Sequence, residues 1–171
     1  MTKHHTLLLA LSLIASTSFA QLSLVPDQEL IKLSGVVTQR SGDGVRGTIT
    51  AAILSGWHIN SVKPLDDFVI PTTLALDGAE LVKADFPPHE LKDFTFSGGK
   101  KLAVYEGTIA IPFEAKLKGG AASIHATLHY QACNDSVCLP PKSVGADIST
   151  NVVAAPKASA GFTPLTAAPK N

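Results

Sequence analysis

Thr108-Ile109-Ala110-Ile111-Pro112-Phe113-Glu114-Ala115-Lys116-Leu117, then Lys118-Gly119-Gly120, then Ser123-Ile124-His125-Ala126-Thr127-Leu128-His129-Tyr130 is the stretch that decides the fold. Ile109, Ile111, Phe113, Ala115 and Leu117 occupy every second position, and so do Ile124, Ala126, Leu128, Tyr130 and Ala132. A side-chain period of two puts each set on one face of a β-strand. The Gly119-Gly120 pair supplies the backbone freedom to turn one strand into the next.

Working outward, the same alternation recurs. Ile31, Leu33, Gly35 and Val37 share one phase, as do Ile49, Ala51 and Ile53 before Gly56. Phe68, Ile70, Thr72, Leu74 and Leu76 share another and end at the turn signal Asp77-Gly78. Val144, Ala146, Ile148 and Val152 form a closing strand. Loops are expected at Ser41 to Gly44 and Ser97 to Lys101, and Pro87-Pro88 breaks any regular element. Short strands between Gly, Pro and Asp turns, with few helical patterns, predict an all-β chain folded as a β-sandwich.

Composition narrows the function. The 171 residues hold 14 basic and 14 acidic side chains, so the basic excess of a nucleic-acid binder is missing. A content of 45% hydrophobic and 16% charged residues excludes a disordered charged tail as the bulk of the chain. At the N-terminus Lys3, His4 and His5 precede the apolar run Leu7 to Ala15, and Ser18 and Ala20 occupy the −3 and −1 positions of a cut before Gln21. This predicts a signal peptide over 1–20. Beyond Ala20 no apolar run approaches the roughly 18 residues of a membrane span, so an exported domain over 21–153 without a transmembrane segment is expected. The Ala/Pro-rich residues 154–171 have little to bury and read as a disordered tail.

Only two cysteines are present, too few for a disulfide framework or a four-cysteine zinc site. They fall in Tyr130-Gln131-Ala132-Cys133-Asn134-Asp135-Ser136-Val137-Cys138-Leu139-Pro140-Pro141. Asn134, Asp135 and Ser136 are turn formers, so Cys133 and Cys138 flank a short turn within disulfide reach. A bridge closing six residues is worth about 2 kcal/mol of unfolded-state entropy, against about 4 for one closing some 60 residues. A staple would do more elsewhere, and a local bridge near the surface is open to a partner thiolate. From spacing alone a structural staple and a redox site both stand. Asp135 inside the turn disfavours a thiolate, so activation by an incoming partner fits better than an intrinsically acidic cysteine.

The segment from Tyr130 to Pro141 resembles the active-site motif of the periplasmic N-terminal domain family of the thiol:disulfide interchange protein DsbD. Gly56-Trp57-His58-Ile59-Asn60 resembles the family's Gly-aromatic stretch, and Tyr105-Glu106-Gly107-Thr108-Ile109-Ala110-Ile111-Pro112 its Tyr-to-Pro strand. The resemblance implies an immunoglobulin-like β-sandwich and a reversible Cys133–Cys138 disulfide. It implies a thiol:disulfide oxidoreductase without cofactor or metal, the protein-disulfide reductase component. Such a domain relays reducing equivalents from a membrane electron carrier to oxidised periplasmic, thioredoxin-like proteins, as in cytochrome c biogenesis. Cys138 would form the mixed disulfide and Cys133 resolve it. Phe94 or Phe96 would supply the aromatic cap over the pair, and Tyr130 and Trp57 would line its pocket, although Trp57 reads slightly better as a core residue. Full-length members continue into a transmembrane domain and a thioredoxin-like domain, so a stand-alone version or a fragment is expected here.

The competing function is an exported, non-catalytic protein-binding module with a structural disulfide. Other chemistry has little support. His125 and His129 are about 13 Å apart along one strand and read as polar-face residues. A copper or zinc site of His129, Cys133 and Cys138 would need the turn to fold back. Neither a Gly-x-Ser-x-Gly elbow nor a phosphate-binding glycine loop is present.

Overall fold

The computed structural model describes residues 29–152. The predicted signal peptide and C-terminal tail lie outside them. Among the described residues the chain builds eleven strands and one short 3-10 helix. One sheet has the order β1-β2-β8-β5, from Ile31–Ser41, Gly44–Ile53, Thr108–Leu117 and Ala79–Ala84. A second has the order β11-β9-β4, from Lys142–Ser149, Ser123–Tyr130 and Thr73–Asp77. The third has the order β10-β3-β7-β6, from Ala132–Cys133, His58–Asn60, Lys101–Glu106 and Glu90–Asp93. Every pairing is antiparallel.

Alternation fixes which face is buried. On β8 the residues Ile109, Ile111, Phe113, Ala115 and Leu117 are buried, and on β9 Ile124, Ala126, Leu128 and Tyr130 are buried. They meet Ile31, Val37, Ile49, Ala51, Ile59, Tyr105, Ala132 and Ile148 in one apolar cluster that all three sheets share. Two layers sealed by one core make the expected sandwich. The sheets approach closely. A Cβ on Gly35 would fall 2.4 Å from the Cδ1 of Ile148, so a side chain there would displace the Ile148 tip where β1 lies against β11.

Four readings of the sequence are corrected. The stretch Phe68 to Leu76 is a strand only from Thr73. Before that, side chains take the backbone donors that a ladder would use. The Phe68 amide donates to Asp66 Oδ1 (3.0 Å) and the Ile70 amide to Gln131 Oε1 (3.4 Å), while Pro71 has no amide to offer. Phe68 is consequently 91% exposed. Val152 lies beyond β11 and is exposed. The run Tyr105 to Pro112 is two strands, because the chain turns at Gly107 (φ +62°) and passes from the third sheet to the first. Finally, β5 and β6 were not foreseen. A bulge between Leu81 and Lys83 breaks the period of β5, and β6 is an edge strand with mostly exposed residues.

Candidate functional site

The turn after β10 is built by its own sequence. Asn134 Oδ1 accepts the amides of Ser136 and Val137, both at 2.9 Å, and the Asn134 amide donates to the Val137 carbonyl (2.9 Å). These bonds fold the chain back so that Leu139 N reaches Ala132 O (2.9 Å) and Cys133 opposes Cys138. The two cysteines form a disulfide with Cα atoms 4.0 Å apart. The pair is asymmetric. Cys133 has no solvent exposure, whereas Cys138 is partly exposed and follows the exposed Val137.

The turn is tied to the third sheet from both sides. β10 pairs with β3, with Ala132 opposite Ile59 and Cys133 opposite His58. Gln131 braces the strand end. Its Nε2 donates to Leu139 O (3.3 Å), and its Oε1 accepts from Asn60 Nδ2 (3.2 Å).

Directly opposed residues of an antiparallel pair project to the same face. Ala132, Ile59 and Tyr105 are opposed across β10, β3 and β7, and all belong to the main core. Cys133, His58 and Glu106 are likewise opposed, one residue out of phase, and therefore share the outer face. That face carries its own small core of Phe94, Leu102 and Val104, with Val69 packed against it.

Phe94 lies on His58, with ring centroids 4.0 Å apart and planes 19° from parallel, and Phe96 stacks on Phe94 at 5.5 Å. Thr95 Oγ1 donates to the Asp135 carbonyl (2.5 Å), which joins this segment directly to the cysteine turn. Phe96 is 40% exposed and Phe94 is buried. The structure thus joins the Phe94–Phe96 segment to the cysteine turn through the Thr95–Asp135 hydrogen bond. It places Tyr130 in the main core and packs Trp57 against that core. The Tyr130 phenol is pushed up by burial and, to a lesser extent, by the charge of Glu29.

Sequence reasoning assigned no role to His58. It is 2% exposed, and its Nε2 finds no hydrogen-bond partner among the described residues. Burial holds its imidazole below the usual pKa of histidine, against the opposing pull of Glu106 and Asp135, while Lys92 adds to the lowering. Glu106 is itself paired with Lys92 from β6, which also lies 3.6 Å from Glu90. No periodicity marks such a residue. Only its place beside the aromatic in Gly56-Trp57-His58-Ile59-Asn60 set it near the site.

His125 and His129 stay on the outer surface of β9. His125 Nδ1 lies 2.7 Å from Asp147 Oδ1, and His129 Nδ1 lies 2.7 Å from Ser143 Oγ.

Fold and site together define a β-sandwich that carries one disulfide at the end of a strand, with an aromatic segment hydrogen-bonded to its turn. The chain belongs to the family of N-terminal domains of the thiol:disulfide interchange protein DsbD, whose profile matches residues 22–149, and its sandwich is the immunoglobulin-like one of that family. Among solved structures it is similar to the N-terminal periplasmic domain of ScsB from Proteus mirabilis, with a TM-score of 0.57 and 14% identity over 75% of this chain and 49% of that one. It is also similar to the Neisseria meningitidis DsbD N-terminal domain in the reduced form (TM-score 0.49, 24% identity, 74% of this chain and 90% of that one). The same Neisseria domain in complex with the PilB N-terminal domain gives a TM-score of 0.49 and 22% identity over 79% of this chain and 94% of the other. No curated protein matches the chain.

Proposed function

We propose that this chain is an exported thiol–disulfide exchange protein of the periplasm. It relays reducing equivalents from a membrane electron carrier to oxidised, thioredoxin-like exported proteins through a reversible Cys133–Cys138 disulfide. Membership of the DsbD N-terminal family supports the chemistry. The observation that carries the reading is the asymmetry of the pair, with Cys138 partly exposed and Cys133 buried behind it. An incoming thiolate or disulfide reaches Cys138 first, and Cys133 is held in place to resolve the mixed disulfide. Phe94 and Phe96, bonded to the turn through Thr95, form the cap that a partner displaces. No helix among the described residues is long and apolar enough to cross a membrane.

Substitution separates the two cysteines. In Cys133→Ser the free Cys138 captures a thioredoxin-fold partner as a stable mixed disulfide, visible on a non-reducing gel. In Cys138→Ser that adduct is lost. Equal trapping by both variants, or trapping by neither, contradicts the proposed roles and favours the binding module with a structural bridge.

A further inference from the structure

We propose that His58 is the proton carrier of the exchange, taking the proton from the Cys133 thiol as Cys133 resolves the mixed disulfide and passing it to the departing thiolate. The inference rests on the relay reading above and adds a residue to it. Its basis is the row formed across three strands by Cys133, His58 and Glu106, opposed in register on one face of the sheet. Opposed residues in such a pair hold their Cβ atoms about 5 Å apart, which makes His58 and Cys133 direct neighbours on that face. A thiol, an imidazole and a carboxylate in that order are the parts of an activated cysteine, in which the carboxylate stabilises the imidazolium that forms.

Three observations fit His58 to this task. Its Nε2 is buried and without a hydrogen-bond partner among the described residues, which leaves a ring nitrogen free to take a proton. Phe94 stacks on the ring and fixes its plane. Burial keeps the ring neutral at neutral pH, so it is able to accept a proton. The charged groups that bear on it are Glu106 from β7, Asp135 from the cysteine turn and Lys92 from β6. In the disulfide state seen here Cys133 has no proton to give, which accounts for the idle nitrogen.

The step balances as follows. The reduced protein attacks a partner protein's disulfide through Cys138, forming the Cys138–partner bond and releasing one partner thiol. Cys133 then loses its proton to His58, and its thiolate attacks Cys138 Sγ. The Cys133–Cys138 bond forms and the Cys138–partner bond breaks. The second partner thiolate leaves and receives the proton from His58. One dithiol is oxidised and one disulfide is reduced. In the reverse direction His58 protonates Cys133 as it departs.

The test uses the reduced full chain and oxidised glutathione, with acid-quenched mass spectrometry to follow the Cys138–glutathione adduct. In wild type the adduct is transient. In His58→Phe, which keeps an aromatic ring on Phe94, the adduct accumulates because resolution slows on the order of 100-fold at pH 7. The deficit shrinks as pH rises, because the thiol then ionises without help. His58→Gln serves the same purpose should the phenylalanine variant fail to fold. Glu106→Gln slows resolution by a smaller factor. Resolution in the His58 variants at the wild-type rate and with the wild-type pH profile overturns the role of His58 and leaves the relay standing, as does a deficit that is equal at every pH. A wild-type protein that forms no adduct and no disulfide overturns the relay itself, and the role of His58 with it.

Discussion

The two faces of the third sheet are built by opposite rules. The inner face gives Ile59, Tyr105 and Ala132 to the main core, where apolar side chains from all three sheets meet. The outer face presents Cys133, His58 and Glu106 in one row, beside a small cluster of Phe94, Leu102 and Val104. Of the five buried polar residues among the described ones, His58, Asn60 and Ser61 lie along or just after β3, and Thr72 donates to the Asn60 carbonyl at 2.6 Å. Burying polar groups costs stability wherever a partner is missing, as it is for His58 Nε2 and Asn60 Oδ1. The inner face holds the molecule together, and the outer face gives up stability to hold a chemical group in place.

That division is open to attack by mutation. Ile111→Ala removes a fully buried side chain of the main core and is expected to cost about 2–5 kcal/mol in chemical denaturation. The cysteine exchange of the molecules that remain folded should be unchanged. A slowed exchange at full folding would mean that core and site are not separable.

Phe94→Ala on the outer face should cost less, about 2 kcal/mol, because its cluster holds only two other buried residues. It should also raise the rate at which a small dithiol reduces the disulfide, since the ring over His58 is gone. A loss as large as that at Ile111 with an unchanged reduction rate would make Phe94 a core residue and not a cap.

The smallest effect is a pH dependence. Burial holds the His58 pKa below its unfolded value, so as pH falls through the unfolded pKa the unfolded chain takes up a proton that the folded chain refuses. Stability is therefore expected to fall as pH drops from 7.5 toward 5.5, and this slope should be reduced in His58→Phe.

The same contrast explains what the sequence makes legible. The inner face was readable because Ile109 to Leu117 and Ile124 to Ala132 alternate without interruption and each apolar residue has only one place to go. The cysteine turn was readable because Asn134, Asp135 and Ser136 announce it locally. The outer face was not. His58 and Glu106 carry no apolar signal, and they meet Cys133 only because β3, β7 and β10 pair across long stretches of chain. The segment Phe68 to Thr72 misled for the related reason that its alternation is real, yet Asp66 and Gln131 side chains claim its amides. The bulge in β5 hid a strand by shifting its period after Leu81.

The reduction potential of the Cys133–Cys138 disulfide, measured by equilibration of the whole chain against glutathione and dithiothreitol couples, bears most directly on the central claim. An exchanging pair is expected to lie above about −300 mV, with the folded sandwich retained in both redox states. A value well below that, together with a marked drop in melting temperature on reduction, would identify the bond as a structural staple and contradict the account.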